Sequence, residues 1–363
     1  MALTQVTNSM LAFDGGPLGM RNRIINGNMA IDQRNAGAQI TAANLTSSTY
    51  MVDRWQYFSS QAAKFTAQQN AGAVTTAVGF PNYLGMTVAS AVTVGATDYF
   101  SISQPVEGFN FADFAWGTAS AKTVTLSFVV YSSLTGTFGG TLKNSAGTRS
   151  YPFTYSIPSA NTWTTISVTV AGDTSGTWVG ATNGIGCYVQ FGLGVGSTYS
   201  GTAGAWAATN YVSATGAVSV VGTASATFYI TGVQLEVGSV ATPFERRQYG
   251  HEITLCQRYY QKSYNIDVAP GTAGAAGAIG SILNSGGAGY TTAHLKVPMR
   301  TTPTTVTIYN GSFTGSTGTW TDGGAGAPAT SANLTGASNI VFYTTGGAGS
   351  STVFGHFTAA AEL

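Results

Sequence analysis

The sequence predicts an all-β protein made of two sandwiches, and three observations point there. Apolar and polar residues alternate with a period of two over many short stretches, the pattern of strands with one face on a core. Clusters of Gly, Thr, Ser and Asn punctuate those stretches, as tight turns between strands require. Charged residues make up only 7% of the chain while aromatic residues reach 12%. A disordered chain has the opposite bias, and an average soluble domain carries about 25% charge.

The 363 residues give room for two or three cores. Residues 1–20 form a short arm with scattered apolar positions at Leu3, Val6, Met10, Leu11 and Phe13. It is too short to bury itself, so it is either a disordered tail or a segment that a partner orders. Residues 21–248 carry the first run of strands. "FSISQPV" sets Phe100, Ile102, Gln104 and Val106 on one face, and "TVTLSFVVY" sets Val124, Leu126, Phe128 and Val130. "TISVTV" and "CYVQFGLGV" alternate in the same way, and "ATFYITGVQLEV" does so with Gly232 marking a bulge. So many strands over this length, joined by turns such as "AGDTSGTW", predict a jelly roll.

The pattern changes after Pro243. Tyr249, Ile253, Cys256 and Tyr260 fall near helical spacing, which predicts a connecting helix over 249–264, firmest from about 251 to 262 because Gly250 weakens its first turn. Charge concentrates here: Glu236, Glu245, Arg246, Arg247, Glu252, Arg258 and Lys262 crowd together, whereas Asp173 is the sole charge between Arg149 and Glu236. A helix crossing an open surface draws on such ionic partners. Residues 265–363 resume strand patterns in "HLKVPM", "TVTIY", "NIVFYTT" and "STVFGHF", enough for a smaller C-terminal sandwich.

Several functions are disfavoured. A net charge of +1 gives no basic surface for nucleic acid. No stretch of about 18 apolar residues occurs, and "MALTQVTNSMLAFDGG" has neither the basic region nor the apolar core of a secretion signal. The three histidines are scattered, and Cys187 and Cys256 have no metal-ligand spacing. Walker, G-x-S-x-G and HExxH motifs are absent. Two carboxylate pairs, Asp113 with Glu107 and Asp53 with Asp32, could serve a glycan hydrolase if the fold brought them together. Ion pairs with the neighbouring Arg34 and Arg54 explain Asp32 and Asp53 more simply. Trp55 is expected in the core, with Arg54 held by a carboxylate.

Longer strings carry a resemblance. "ITGVQLEVG" running into "ATPFERR" and "CQRYYQKS" resembles a segment of tail fibre and tail-associated proteins of tailed bacteriophages. "RNRIINGNMAIDQRNAG" with "YMVDRW" is similar to the opening of that family, "GDTSGTW" to its central strand and turn, and "VPMRTTPTTVTIYN" to its following β domain. The resemblance implies a carbohydrate-binding-module-like jelly roll, a smaller distal domain and a homotrimer on a virion appendage. That appendage would be assembled in the host cytoplasm and would bind a host glycan or outer-membrane receptor without catalysis. "MALTQVTNSM" is similar to the segment by which phage fibres join other virion proteins, which makes Leu3, Val6, Met10, Leu11 and Phe13 the candidate anchor. No long shaft and no self-cleaving chaperone tail is evident, so a capsid-bound fibre or decoration protein and a tailspike-like hydrolase stand as alternatives. Jelly rolls of this type often hold structural calcium, but no compact Asp/Asn run marks a site, and no cofactor is assigned.

Sugar recognition needs an aromatic face for C–H groups and planar polar groups for hydroxyls. Tyr309, Asn310, Trp320 and Asp322, in or beside the long polar loop of the second sandwich, are the candidate receptor contacts, with Trp320 as a buried loop anchor the competing reading. Arg246, Arg247, Tyr259 and Tyr260 are candidate oligomer or interdomain contacts, since tyrosine buries a ring while keeping a hydroxyl wet.

Overall fold

The computed structural model describes residues 20–312, 315–321, 328–346 and 351–363. The candidate anchor residues Leu3, Val6, Met10, Leu11 and Phe13 lie outside them, as does Asp322.

The first lobe begins with the hairpin β1 (Thr49–Val52) and β2 (Trp55–Ser59). Then come β3 (Phe65–Gln69), β4 (Leu84–Val88), β5 (Tyr99–Glu107), β6 (Val124–Ser132), β7 (Gly136–Lys143), β8 (Ser150–Ile157), β9 (Thr164–Val170) and β10 (Ile185–Val195). Two short strands, β11 (Ser200–Gly201) and β12 (Ser213–Ala214), lie in the next connection, and β13 (Thr227–Val237) closes the lobe. One sheet has six strands in the order β1-β2-β5-β10-β7-β8; the other has five in the order β3-β4-β13-β6-β9. From β4 onward the chain winds so that β4-β13-β6-β9 faces β5-β10-β7-β8, the wrapped order of a jelly roll.

The alternation explains the core. Cys187, Val189, Phe191 and Leu193 of β10 point inward with Leu126, Phe128 and Val130 of β6, and all are buried around Trp55. The β13–β6 register shifts between Thr231 and Gln234, and Gly232 has φ +61°, so the expected bulge is there. One expectation needs correction. Period-two alternation predicts one strand face on a core and the other in solvent, yet Ser101, Ser103, Thr141 and Gln190 on the outer face of the six-stranded sheet are also buried. Part of that face is covered by the segment around β12. Gly139 and Gly192 have no Cβ there, which lets Ser213 pack directly on the strands.

The helix α1 (Tyr249–Gln257) is shorter than expected, and Tyr260–Lys262 is not helical. The Tyr259 amide bonds to Cys256 O at 3.0 Å, tightening the last turn, and Tyr260–Lys262 then becomes strand β14, paired antiparallel with β20. A free sheet edge satisfies this backbone, and tyrosines suit a strand. The second lobe continues with β15 (Ile279–Ile282), β16 (Gly289–His294), β17 (Thr305–Asn310), β18 (Ala329–Thr335), β19 (Asn339–Thr345) and β20 (Thr352–Ala360). In one sheet β20 is central, with β17 on one edge and β14 and β15 end to end on the other. The order β16-β19-β18 makes the second sheet. Trp320, Ile340, Phe342, Val353 and Phe357 are buried between the two. No helix is long and apolar enough to cross a membrane among the described residues.

Candidate functional site

The charge cluster is resolved at the seam between the lobes. Glu362, two residues beyond β20, accepts from Arg34 at 2.5 Å and from Arg54, which is 1% exposed. Arg54 also donates to Pro105 O at 2.7 Å and lies 3.6 Å from the centroid of the Tyr259 ring; Arg34 lies 4.0 Å from that of Tyr260. Burial alone would lower the Arg54 pKa, but Glu362, with smaller contributions from Tyr259, Tyr50 and Cys256, offsets that and leaves it raised. Arg258 grips Glu107 at 2.9 and 2.6 Å, and the Tyr259 hydroxyl donates to the same carboxylate at 2.5 Å. Tyr259 and Tyr260 are thus interlobe contacts within one chain.

The arginine partners differ from the sequence expectation. Asp32 instead accepts the backbone amides of Asn35 and Gly37 at 3.0 and 2.9 Å, closing its own turn. Asp53 accepts the Gln33 backbone and side-chain amides, both at 2.7 Å, and burial raises its pKa to about 6. Asp113 pairs with Arg23 at 2.7 Å. Each carboxylate weighed for hydrolysis is therefore engaged by the protein. Arg247 bonds Asn22 O, Ile24 O and Glu252, while Arg246 is exposed over the Phe80 ring. Glu236 is held by Thr242, Gln234 and Arg21.

Two of the candidate receptor contacts turn inward. Trp320 is fully buried against Phe342, centroids 5.4 Å apart, so it anchors its loop. Asn310 is buried too, its carbonyl accepting the Ser312 amide at 2.8 Å. Tyr309 is half-buried against Tyr264, 6.0 Å between rings. In this arrangement Trp320 and Asn310 offer no outward face.

An arrangement that the sequence reading missed lies on the outer face of the six-stranded sheet. The antiparallel registers put Gln56, Ser103, Gln190 and Thr141 in one polar row across β2, β5, β10 and β7. Gln190 is 1% exposed; its amide nitrogen donates to Ser103 Oγ at 3.3 Å, and its carbonyl oxygen has no partner among the described residues. In the adjacent row Lys143 is paired with Tyr188, which makes Lys143 a diagonal neighbour of Gln190. Lys143 is 5% exposed, with its ammonium 5.5 Å from the centroids of both Phe58 and Tyr188. Its one hydrogen bond, at 3.0 Å, goes to Asn210 Oδ1 on the covering segment. Burial pushes the Lys143 pKa down to about 8. Tyr99 stacks on Phe58 at 5.0 Å and meets Tyr199 edge-on at 5.2 Å, extending an aromatic rim that is half-buried throughout.

Two other places make the contrast. Trp116, Trp178 and Trp206 cluster at an edge of the sandwich with centroids 4.9–5.5 Å apart. Their indole N–H groups are satisfied by Lys122 O, Asp173 and Ala171 O, so the cluster is complete in itself. A cavity of about 240 Å³ in the second lobe is lined by Gln261, Lys262, His294 and Lys296 among others. Buried Lys262 there donates to Ile266 O and Val268 O at 3.0 and 2.6 Å. The outer sheet face sets a half-buried aromatic rim beside a buried polar row. The signal in the sequence was faint: Lys143 is the single charge between Lys122 and Arg149, in phase with Thr141. Among the described residues no three of His, Cys, Asp and Glu gather as a metal site.

No family model matches the chain. No curated protein sequence matches it. Among solved structures, the enzymatically active domain of bacteriophage CBA120 tailspike protein 4 is similar at 11% identity over 60% of this chain and 21% of that one, with a TM-score of 0.31. This chain therefore spans about a fifth of that structure's length. The family 11 carbohydrate-binding module from Clostridium thermocellum, in complex with a mixed-linked tetrasaccharide, is similar at 13% identity, covering 54% of this chain and 96% of the module, with a TM-score of 0.28. TmCBM61 in complex with β-1,4-galactotriose matches at 10% identity over 60% of this chain and 99% of the module, with a TM-score of 0.30.

Proposed function

We propose that this chain is a structural virion protein of a tailed bacteriophage, a tail fibre that adheres to the host surface by binding glycan without catalysis. The observation that carries the binding reading is the outer sheet face, where the half-buried rings of Phe58, Tyr99 and Tyr188 flank the polar row of Gln56, Ser103, Gln190 and Thr141. Aromatic faces accept sugar C–H groups, and amide and ammonium groups take the hydroxyls. The strings from "RNRIINGNM" to "CQRYYQKS" support the virion context through their resemblance to tail fibres. Engagement of Asp32, Asp53, Glu107 and Asp113 within the fold supports binding over hydrolysis. In this reading residues 1–20 dock the chain on the particle as a homotrimer, and weak individual sites gain strength through multivalency.

Host polysaccharide incubated with the full chain tests both halves of the reading. Retention on the polysaccharide with no release of reducing ends is expected. Release of reducing ends would establish a hydrolase, and absence of retention would remove the adhesion reading. Labelling the chain in intact particles should put the signal at the tail; signal over the head would favour a decoration protein.

A further inference from the structure

The second lobe presents an open, uncharged sheet face. In β16-β19-β18, Ala293, Ile340 and Phe342 point into the core, so the residues between them point out. The registers place Tyr290, Tyr343 and Ser331 in one outward row and Thr292, Val341 and Leu334 in the next. Strict alternation would put Asn333 opposite Val341; the register shift between Ala332 and Leu334 puts Leu334 there instead. Leu334 is 67% exposed and Tyr290 63%. Tyr343 leans on one side of the Tyr290 ring, with centroids 4.7 Å apart and planes at 30°. No strand of this sheet lies beyond β16, so the other side of that ring is open. Behind the face, Phe342 is packed between Trp320 and Phe357 at 5.4 and 5.3 Å, which fixes the strands that carry it.

We propose that this face is a second glycan-binding site, selective for neutral sugars, with Tyr290 as its stacking platform; the inference takes the kind of ligand from the adhesion reading above but does not use the jelly-roll face. The open side of Tyr290 receives the C–H face of a sugar ring, and tyrosine does this while its hydroxyl stays in water. The Thr292 hydroxyl, in the next row of the same strand, meets the sugar's hydroxyls, and Leu334 and Val341 cover its apolar edge. None of the six residues is charged, so nothing here rewards an acidic group. Size argues against a second copy of the chain as the occupant. Strands about 4.8 Å apart and rows about 7 Å apart make a platform roughly 10 by 7 Å before side-chain width. That suits a short run of sugar rings, whereas a stable protein contact takes about 800 Å² from each partner.

The test uses the full chain with dextran, laminarin and galactomannan as neutral polymers and polygalacturonate as the charged comparison. The wild type is expected to bind at least one neutral polymer. Tyr290→Ala should weaken that binding about tenfold, the scale on which a truncated aromatic anchor is felt. Tyr290→Phe keeps the ring and should stay within about twofold of the wild type. With Tyr290 63% exposed, both variants should keep the wild-type melting profile. Tyr99→Ala, on the jelly-roll rim, supplies the other arm. Neutral-polymer binding that is unchanged in Tyr290→Ala overturns the inference, and its weakening in Tyr99→Ala would leave adhesion with the jelly roll. A fall in assembled mass by light scattering for Tyr290→Ala, with polymer binding intact, would make the face a contact between copies and overturn the inference as well. Binding of polygalacturonate alone would overturn the choice of neutral sugars. A wild-type chain that binds none of the four polymers overturns both this inference and the adhesion reading.

Discussion

The seam between the lobes and the outer face of the six-stranded sheet use the same parts to opposite ends. In both, a buried cation lies over tyrosine or phenylalanine rings. At the seam, Arg34 and Arg54 converge on Glu362, and Arg258 on Glu107, so the chain supplies each charge with its opposite. On the sheet face, Lys143 has two rings and one amide but no carboxylate among the described residues. A buried cation with its anion in the same chain is construction. One without a counter-ion among the described residues carries a burial cost that the seam does not.

Removing the anion at the seam is the harshest way to break this contrast. Glu362→Ala leaves Arg34 and Arg54 facing one another in a site where Arg54 is 1% exposed. Breaking a buried pair from one side costs about 3–5 kcal/mol, and here two guanidinium groups lose their partner. Because Glu362 ties the end of β20 to Arg34 and Arg54 of the first lobe, the coupling between the lobes should weaken. Calorimetry is expected to show one transition for the wild type and two for the variant, the second lobe melting first. An unchanged melting profile would mean that the seam does not couple the lobes.

How much of this was legible beforehand follows from what each feature depends on. The jelly-roll strands were readable because inward positions such as Val189 and Phe191 repeat every second residue, a local property of the chain. The helix end was not, because β14 forms only where β20, nearly a hundred residues later, presents an edge. That Arg54 needs a carboxylate was legible, but not that Glu362 supplies it, since proximity in sequence favoured Asp53. Trp320 looked like a ligand platform by composition; its burial depends on Phe342 packing from another strand. The site at Lys143 joins β2, β7, β10 and the segment before β12, so no single stretch of sequence announces it.

Taking the cation from the sheet face should do the reverse of the seam mutation. Lys143→Met keeps an unbranched, apolar side chain and removes a charge held at a pKa of about 8 against an ordinary 10.5. Below pH 8 both folded and unfolded wild type are protonated, and the full burial penalty weighs on the fold. Between 8 and 10.5 the unfolded chain still holds the proton that the folded chain has released, so wild-type stability rises with pH. The variant is therefore expected to be more stable at pH 7 by about 1–3 kcal/mol, with the gain gone by about pH 10.5. Urea unfolding at the two pH values measures this. Destabilisation at pH 7 would mark Lys143 as a structural residue and remove the contrast with the seam.

The mildest effect separates two adjacent arginines and sharpens the rule that burial, not charge alone, decides their weight. Arg246 is exposed, its guanidinium 5.1 Å from the Phe80 centroid and 5.9 Å from that of Phe244, with one bond to Gly79 O at 2.5 Å. An exposed cation–π contact contributes about 0.5–1 kcal/mol, and Arg246→Ala should cost no more. The Arg247 side chain is 7% exposed and holds the backbone of Asn22 and Ile24 against Glu252. Losing a charged hydrogen-bonding group from that position should cost about 2–3 kcal/mol. The two variants compared by urea midpoint at fixed pH give the ratio directly, and equal losses would show that the Phe80–Phe244 edge is as closed to water as the strand-side pocket of Arg247.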